Sequence, residues 1–243
     1  MTAKGVLECS AELPDFIPLT RNPYARVPDQ TPLFIGQLRA PEYMVNMSHH
    51  PTPDETSDAA FRTQLRKTAL AQRRLQKKNR IATWSVTLQA HLLAQWPQAP
   101  GRVIGFCWPI DNEPDLRPLL EHWALTQLVT AALPVVVDPR QPLAFRPWHT
   151  GAAMVTDRYG IPTPADGDFV QPDVLLIPLN AFDAQGFRIG YGGGFFDRTL
   201  SSLQPRPLAI GVGFEISRVD STRPQPHDQR MDWIVTEAAC FKC

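Results

Sequence analysis

Four glycines within eleven residues, in the stretch RIGYGGGFFDR at 188–198, constrain this chain more than anything else in it. Such a run is unfavourable inside a helix or strand, because glycine gives up more backbone freedom on ordering than any other residue. A tight loop suits it. Upstream stands PDVLLIPL at 172–179, a short apolar run bounded by turn residues, which reads as a strand buried on both faces; downstream FFDRTLSSL reads as a helix. A glycine loop leading from a strand into a helix N-terminus is a recurrent phosphate site. Without Cβ atoms the backbone comes close to the anion, and successive N–H groups converge on it. The loop alone is equally consistent with a structural turn. It has neither the Gly-Lys-Ser/Thr ending of a P-loop nor the G-x-G-x-x-G opening of a chain-initial dinucleotide unit.

The rest of the chain supplies the setting. VIGFCW at 103–108 reads as a buried strand, PIDNEPD as a loop, LRPLLEHWALTQL at 116–128 as a helix and PVVVD at 134–138 as the next strand. Strand, helix, strand predicts a parallel unit. PLAIGVGF at 207–214 and MDWIVTE at 231–237 add two strands. The expectation is an α/β fold, a three-layer α/β/α domain with a mostly parallel central sheet and ligands beyond the carboxyl ends of its strands.

Residues 57–95 carry a helical pattern, with Phe61, Leu65, Ala69 and Leu70 on one face and Arg62, Arg66, Lys67, Arg73, Arg74, Lys77 and Lys78 on the other. By itself that basic face reads as solvated. Residues 1–54 are rich in proline and turn formers and lack periodicity; they are expected to be disordered or a non-native extension, with Met44 and Met47 as alternative starts and 55–243 as the single domain.

With 24 basic and 24 acidic residues there is no global field to draw nucleic acid or an anionic membrane, so an anion needs a local site. No apolar run approaches a spanning helix and no secretory leader is evident, so a cytoplasmic protein is expected, by default a monomer. Cys9, Cys107, Cys240 and Cys243 are too scattered for a disulfide framework. The Cys240 and Cys243 spacing suits a metal but finds no second pair, which leaves a frayed tail with free thiols as the expectation.

The neighbours of the glycine loop favour a nucleoside triphosphate. Arg188 and Arg198 flank it, and Asp183 and Asp197 could take Mg²⁺, which commonly binds one or two carboxylates plus substrate phosphates. LLIPLNAFDAQGFRIGYGGGFFDR resembles the 5-formyltetrahydrofolate cyclo-ligase signature, roughly V-P-x-x-x-F-D-x-x-G-x-R-L-G-x-G-x-G-Y-Y-D-R. RTQLRKTALAQR, WPIDNEPDLRPLL, LAFRPW, YGIPTP and PHDQRMDWIVTE follow the family's other landmarks in order, from about Phe61 to Glu237.

The resemblance implies an enzyme that uses ATP and Mg²⁺ to cyclise 5-formyltetrahydrofolate to 5,10-methenyltetrahydrofolate. It implies that Arg62 and Arg66 clamp nucleotide phosphates from one face of the first helix. Arg188, as the catalytic residue, and the loop Ile189, Gly190, Tyr191, Gly192, Gly193, Gly194, Phe195 and Phe196 would hold ATP. Asp197 would close the ATP loop and serve the metal, with Asp183 either a second ligand or a turn cap. Glu113 would pair with polar groups of the folate, and Trp148 would face its rings, while Phe106, Trp108 and Phe145 are read as core.

Four positions depart from the family pattern. Phe195 and Phe196 replace two tyrosines, Arg62 a lysine, Thr163 a glutamate, and Ser217 a glutamine. A relative that binds folate or nucleotide without turnover is therefore the alternative. A kinase-like reading would need His227 and Asp228 as a pair, and neighbours on an extended chain point apart.

Overall fold

The computed structural model of the chain describes residues 53–243, with side chains placed from Ser57 on. The expectations for residues 1–52, including disorder and a start at Met44 or Met47, lie outside the described residues.

Helix α1 spans Pro53–Arg74 and α2 spans Lys78–Gln95. The first begins four residues ahead of the expected Ser57, with a proline at its first position, where the missing N–H costs nothing. The helical pattern over 57–95 thus resolves into two helices broken at 75–77. Strand β1 (Val103–Gly105), α3 (Arg117–Gln127) and β2 (Thr130–Val135) form the expected parallel unit. The strand starts earlier than PVVVD implied, because Leu128 ends α3 in the left-handed region with φ 55° and turns the chain at once.

β3 (Ala144–Pro147) returns antiparallel along β2, and β4 (Met154–Thr156) with β5 (Pro162–Pro164) forms a separate hairpin. The clearest apolar run becomes β6 (Val174–Pro178), with Val174 to Ile177 all at most 1% exposed. A small hairpin follows, β7 (Ala181–Phe182) and β8 (Arg188–Ile189), then α4 (Phe195–Ser202), β9 (Leu208–Val212), β10 (Trp233–Val235) and β11 (Cys240–Lys242).

Seven strands make one sheet in the order β11-β10-β9-β6-β1-β2-β3. The inner five run parallel and the two edges antiparallel. Alternation along β6 sorts the core: Val174 and Leu176 join Leu88 and Leu92 of α2 and Leu119, Leu120 and Trp123 of α3, while Leu175 and Ile177 join Leu200 of α4. Helices on both faces give the three layers that the sequence led one to expect. α1 packs instead on the small hairpin, through Ala69 against Ala181 and Ile189.

The tail is not frayed. Ile234 pairs with Phe241, and the amide of Cys243 donates to the Asp232 carbonyl at 3.0 Å, so the last residues close an edge of the sheet. Cys107, Cys240 and Cys243 are free thiols, and burial pushes Cys243 up to about 11, which keeps it protonated and unreactive at neutral pH. Among the described residues no helix is long and apolar enough to cross a membrane, and no three His, Cys, Asp or Glu side chains are grouped to hold a metal.

Candidate functional site

The β7–β8 hairpin sets the entry to the glycine loop, and Asp183 makes its turn. Oδ1 of Asp183 accepts the amides of Gln185 and Phe187, each at 3.1 Å, and Oδ2 accepts the amide and hydroxyl of Thr222 at 2.9 and 2.8 Å. Both oxygens are filled and the residue is 2% exposed. The metal role expected as one reading of Asp183 is therefore corrected to the other, a turn cap. Ile189, expected among the nucleotide contacts, is buried against Ala69 and its carbonyl accepts the Asn180 amide at 3.0 Å, so it anchors the loop.

Beyond Ile189 the chain needs glycine at two points. Gly192 has φ 98°, and a Cβ there would meet the Arg66 guanidinium carbon at 3.3 Å. Gly194, with φ 63°, caps α4 at its N-terminus, where the helix dipole favours an anion. Phe195 and Phe196 pack at the rim of the core below α4, with the Phe195 ring edge-on to Tyr159 at 5.9 Å. They act here as packing residues.

Several arginines approach this loop. Arg188, 7% exposed, ion-pairs with Asp197 Oδ1 at 3.1 Å and donates to the Gln229 carbonyl at 3.0 Å. Burial lowers its pKa and the Asp197 charge opposes that. Asp197 Oδ1 also accepts the Gln229 amide at 2.9 Å, while Oδ2 takes no hydrogen bond from the described residues. Arg66 donates through Nε to the Gly190 carbonyl at 2.8 Å. Its pKa is lowered by burial and by the neighbouring Arg62 charge, and no carboxylate among the described residues pairs with it. Arg62, expected on the phosphates, is instead tied to Asp228 at 2.8 Å and to the carbonyls of Thr222 and Arg223. Its planar fork matches a carboxylate and two carbonyls at once, which a lysine could not do. Arg198 lies at the outer end, over the Phe195 ring, and donates to the Pro139 carbonyl.

His227 is exposed and its Nε2 stands 3.9 Å from Asp228 Oδ1, beyond hydrogen-bond distance, while the Asp228 carboxylate is held by Arg62 and the Gln225 amide.

The loop between β1 and α3 delivers Glu113 to the same end of the sheet. Asp111 and Asn112 both adopt the left-handed region, with φ 50° and 60°, and turn Glu113 inward to 4% exposure. Its Oε2 accepts the Ile110 amide at 3.1 Å and its Oε1 the Tyr191 hydroxyl at 3.0 Å, with Arg73 Nη2 at 3.6 Å. Burial raises the Glu113 pKa, against the pull of Arg73. Sequence reasoning left Arg73 on a solvated face. In the structure it is 1% exposed and donates to the carbonyls of Asp111 and Leu179 and to the Tyr191 hydroxyl. The only sequence signal for it is the break of the helical pattern just beyond Arg74.

Trp148, expected to face the folate rings, is placed among the core residues. It is 8% exposed in the core cluster and its ring meets Phe106 edge-on at 5.3 Å. Phe106 and Phe145 are core as expected. Trp108 is half-buried beneath the Arg117 guanidinium, 4.5 Å from its ring centre. Thr163 uses its hydroxyl on the Pro134 carbonyl at 2.9 Å, tying β5 to β2. Asn180, one residue past Leu179, is a polar group that sequence reasoning did not single out. Both ends of its buried amide lack a partner among the described residues.

A mostly parallel sheet that carries a glycine loop, a capped helix N-terminus and converging arginines at one end defines the α/β class of protein, with a candidate anion site at that end. The comparisons narrow this class. The 5-formyltetrahydrofolate cyclo-ligase family matches residues 58–237. The chain is 31% identical to the 5-formyltetrahydrofolate cyclo-ligase of Escherichia coli (strain K12) over 178 residues, 69% of this chain and 89% of the relative. It is 31% identical to that of Haemophilus influenzae over 169 residues, 66% and 87% of the two chains. The NMR structure of Aquifex aeolicus 5,10-methenyltetrahydrofolate synthetase superposes with a TM-score of 0.66 at 25% identity, covering 75% of this chain and 92% of that one. The chain belongs to the 5-formyltetrahydrofolate cyclo-ligase family, and is an enzyme of that ligase class.

Proposed function

We propose that residues 55–243 act as one domain that cyclises 5-formyltetrahydrofolate to 5,10-methenyltetrahydrofolate at the expense of ATP, with Mg²⁺. The observation that carries the nucleotide half of this reading is the charge balance at the loop. Arg62, Arg66 and Arg188 interact there, while among the described residues Asp228 and Asp197 answer Arg62 and Arg188 and no carboxylate pairs with Arg66. Surplus positive charge beside a helix N-terminus favours a polyphosphate.

In this reading the formyl oxygen of the folate attacks the γ-phosphorus and ADP departs. N10 then attacks the activated formyl carbon, phosphate leaves, and the N10 proton is lost. Arg66, Arg188 and the amides of residues 190–194 hold the phosphates in line, and placement is most of what phosphoryl transfer asks of a protein. Arg62 acts one step back, holding Asp228 beside Arg188. Glu113 orients the folate. Asp197 fits the metal through Oδ2, and Asp183 does not; Mg²⁺ bound there would neutralise phosphate charge.

The test is the absorbance of the methenyl product on mixing the full chain with 5-formyltetrahydrofolate, ATP and Mg²⁺. ATP-dependent product supports the reading. Binding of both ligands with no product would move the weight to a non-catalytic relative, which the absent hydroxyls at Phe195 and Phe196 and the engagement of Arg62 with Asp228 would favour.

In the same assay Gly192→Ala is expected to lower kcat/KM about tenfold or more. A methyl group at φ 98° strains the backbone by roughly 1–3 kcal/mol and crowds the Arg66 guanidinium, 3.3 Å away. Unchanged kinetics would mean that the loop backbone takes no part.

A further inference from the structure

Tyr191 belongs to the glycine loop, yet its hydroxyl lies in the Glu113 pocket. The residue as a whole is 43% exposed, so apolar packing does little to fix it; what holds it is the hydroxyl, 2.8 Å from Arg73 Nη2 and 3.0 Å from Glu113 Oε1. Arg73 is a rigid anchor, because its other nitrogens are fixed on the carbonyls of Asp111 and Leu179. The turn before Glu113 is held by the same helix end, through Asn112 Nδ2 on the carbonyls of Arg73 and Gln76, both at 3.2 Å. Of the two carboxylate oxygens, Oε2 is set by its own turn and Oε1 by Tyr191. Tyr191 follows directly on Gly190, whose carbonyl Arg66 holds at 2.8 Å, so a ligand on this loop acts on the same segment that carries the donor to Glu113.

We propose that Tyr191 is a positioning residue that couples the two ligand sites: a nucleotide that holds the glycine loop also holds the Tyr191 hydroxyl on Glu113 and so keeps the carboxylate set for the folate. The inference rests on the function proposed above for its two ligands. A carboxylate oxygen can accept two hydrogen bonds, so Oε1 can keep Tyr191 and still take a donor from the substrate. Coupling of this kind is reciprocal, so folate would tighten nucleotide binding by the same factor.

Tyr191→Phe keeps the ring and removes only the hydroxyl. With the full chain, an ATP analogue that is not hydrolysed and Mg²⁺, hydrogen exchange at residues 110–113 is expected to slow in the parent protein and to stay unchanged in the variant. In equilibrium binding, the analogue should tighten 5-formyltetrahydrofolate binding about fivefold or more in the parent and less than twofold in Tyr191→Phe. A structural tie alone would change stability and leave the ratio intact, and an equal ratio in both proteins overturns the proposal. So does slowed exchange in both. The parent protein is decisive by itself if the variant folds poorly, since no slowing at 110–113 on nucleotide binding also overturns it. Failure of the analogue to bind the parent at all is a separate result that sinks the nucleotide reading and this inference together, whereas binding without coupling sinks only the inference.

Discussion

Arg188→Ala is expected to lower kcat/KM by about a thousandfold and to lower Tm as well. Two losses combine. The first is catalytic: removal of one well-placed donor to developing charge costs on the order of 10²–10³ in rate, and Arg188 is a charged donor in a water-poor position. The second is structural. Asp197 would keep the Gln229 amide but lose its counter-ion at 3.1 Å, and breaking a buried ion pair from one side costs roughly 3–5 kcal/mol. Asp197 is itself 18% exposed, so solvent screens it and the lower end applies, a fall in Tm of about 6–12 °C for a domain of this size. Arg188→Lys separates the two losses. It keeps the charge but cannot reach Asp197 and the Gln229 carbonyl together, so its Tm should recover more than its kcat/KM. The check is steady-state kinetics beside calorimetry. Activity within threefold of the parent in Arg188→Ala would take Arg188 out of the reaction.

The sheet was legible because its strands carry their own signal. VLLIP is apolar at every position, as a strand covered on both faces must be, and the helices between strands enforce parallel pairing. The glycine loop was legible for the same reason, since positive φ at Gly192 and Gly194 leaves few other residues to choose from. The partners of the charged residues were not. Arg62 meets Asp228 across 166 positions and Arg73 meets Tyr191 across 118, and no local pattern encodes such separations. The packing of Trp148 was not legible either, because a landmark tryptophan serves equally as a ligand wall or as core, and its edge contact with Phe106 comes from a residue 42 positions away. Asp183 shows the converse: the cap was visible in the turn DAQG, but its second half, Thr222, lies 39 residues away.

Arg73 and Arg74 are adjacent in a basic run and look interchangeable in the sequence, so substituting each by methionine tests the burial argument directly. Methionine keeps most of the aliphatic stem, which leaves charge and hydrogen bonds as the difference. Arg74 pairs with Asp111 at 2.9 Å but is 59% exposed, and an ion pair in water contributes little. Its loss should move Tm by no more than about 2 °C. Loss of Arg73 leaves two backbone carbonyls and the Tyr191 hydroxyl short of a donor, and Glu113 buried with no counter-charge at 3.6 Å. Burial already raises the Glu113 pKa, and without Arg73 it would rise further, so part of the cost would be relieved by protonation. A penalty of roughly 3–5 kcal/mol remains the expectation, or about 10 °C in Tm. The protonated carboxyl would also be the wrong partner for a donor on the folate, so kcat/KM should fall with stability in Arg73→Met and hold in Arg74→Met. Calorimetry and kinetics on the pair would decide it, and equal shifts in the two variants would show that the Arg73 cluster confers no stability beyond that of a surface charge.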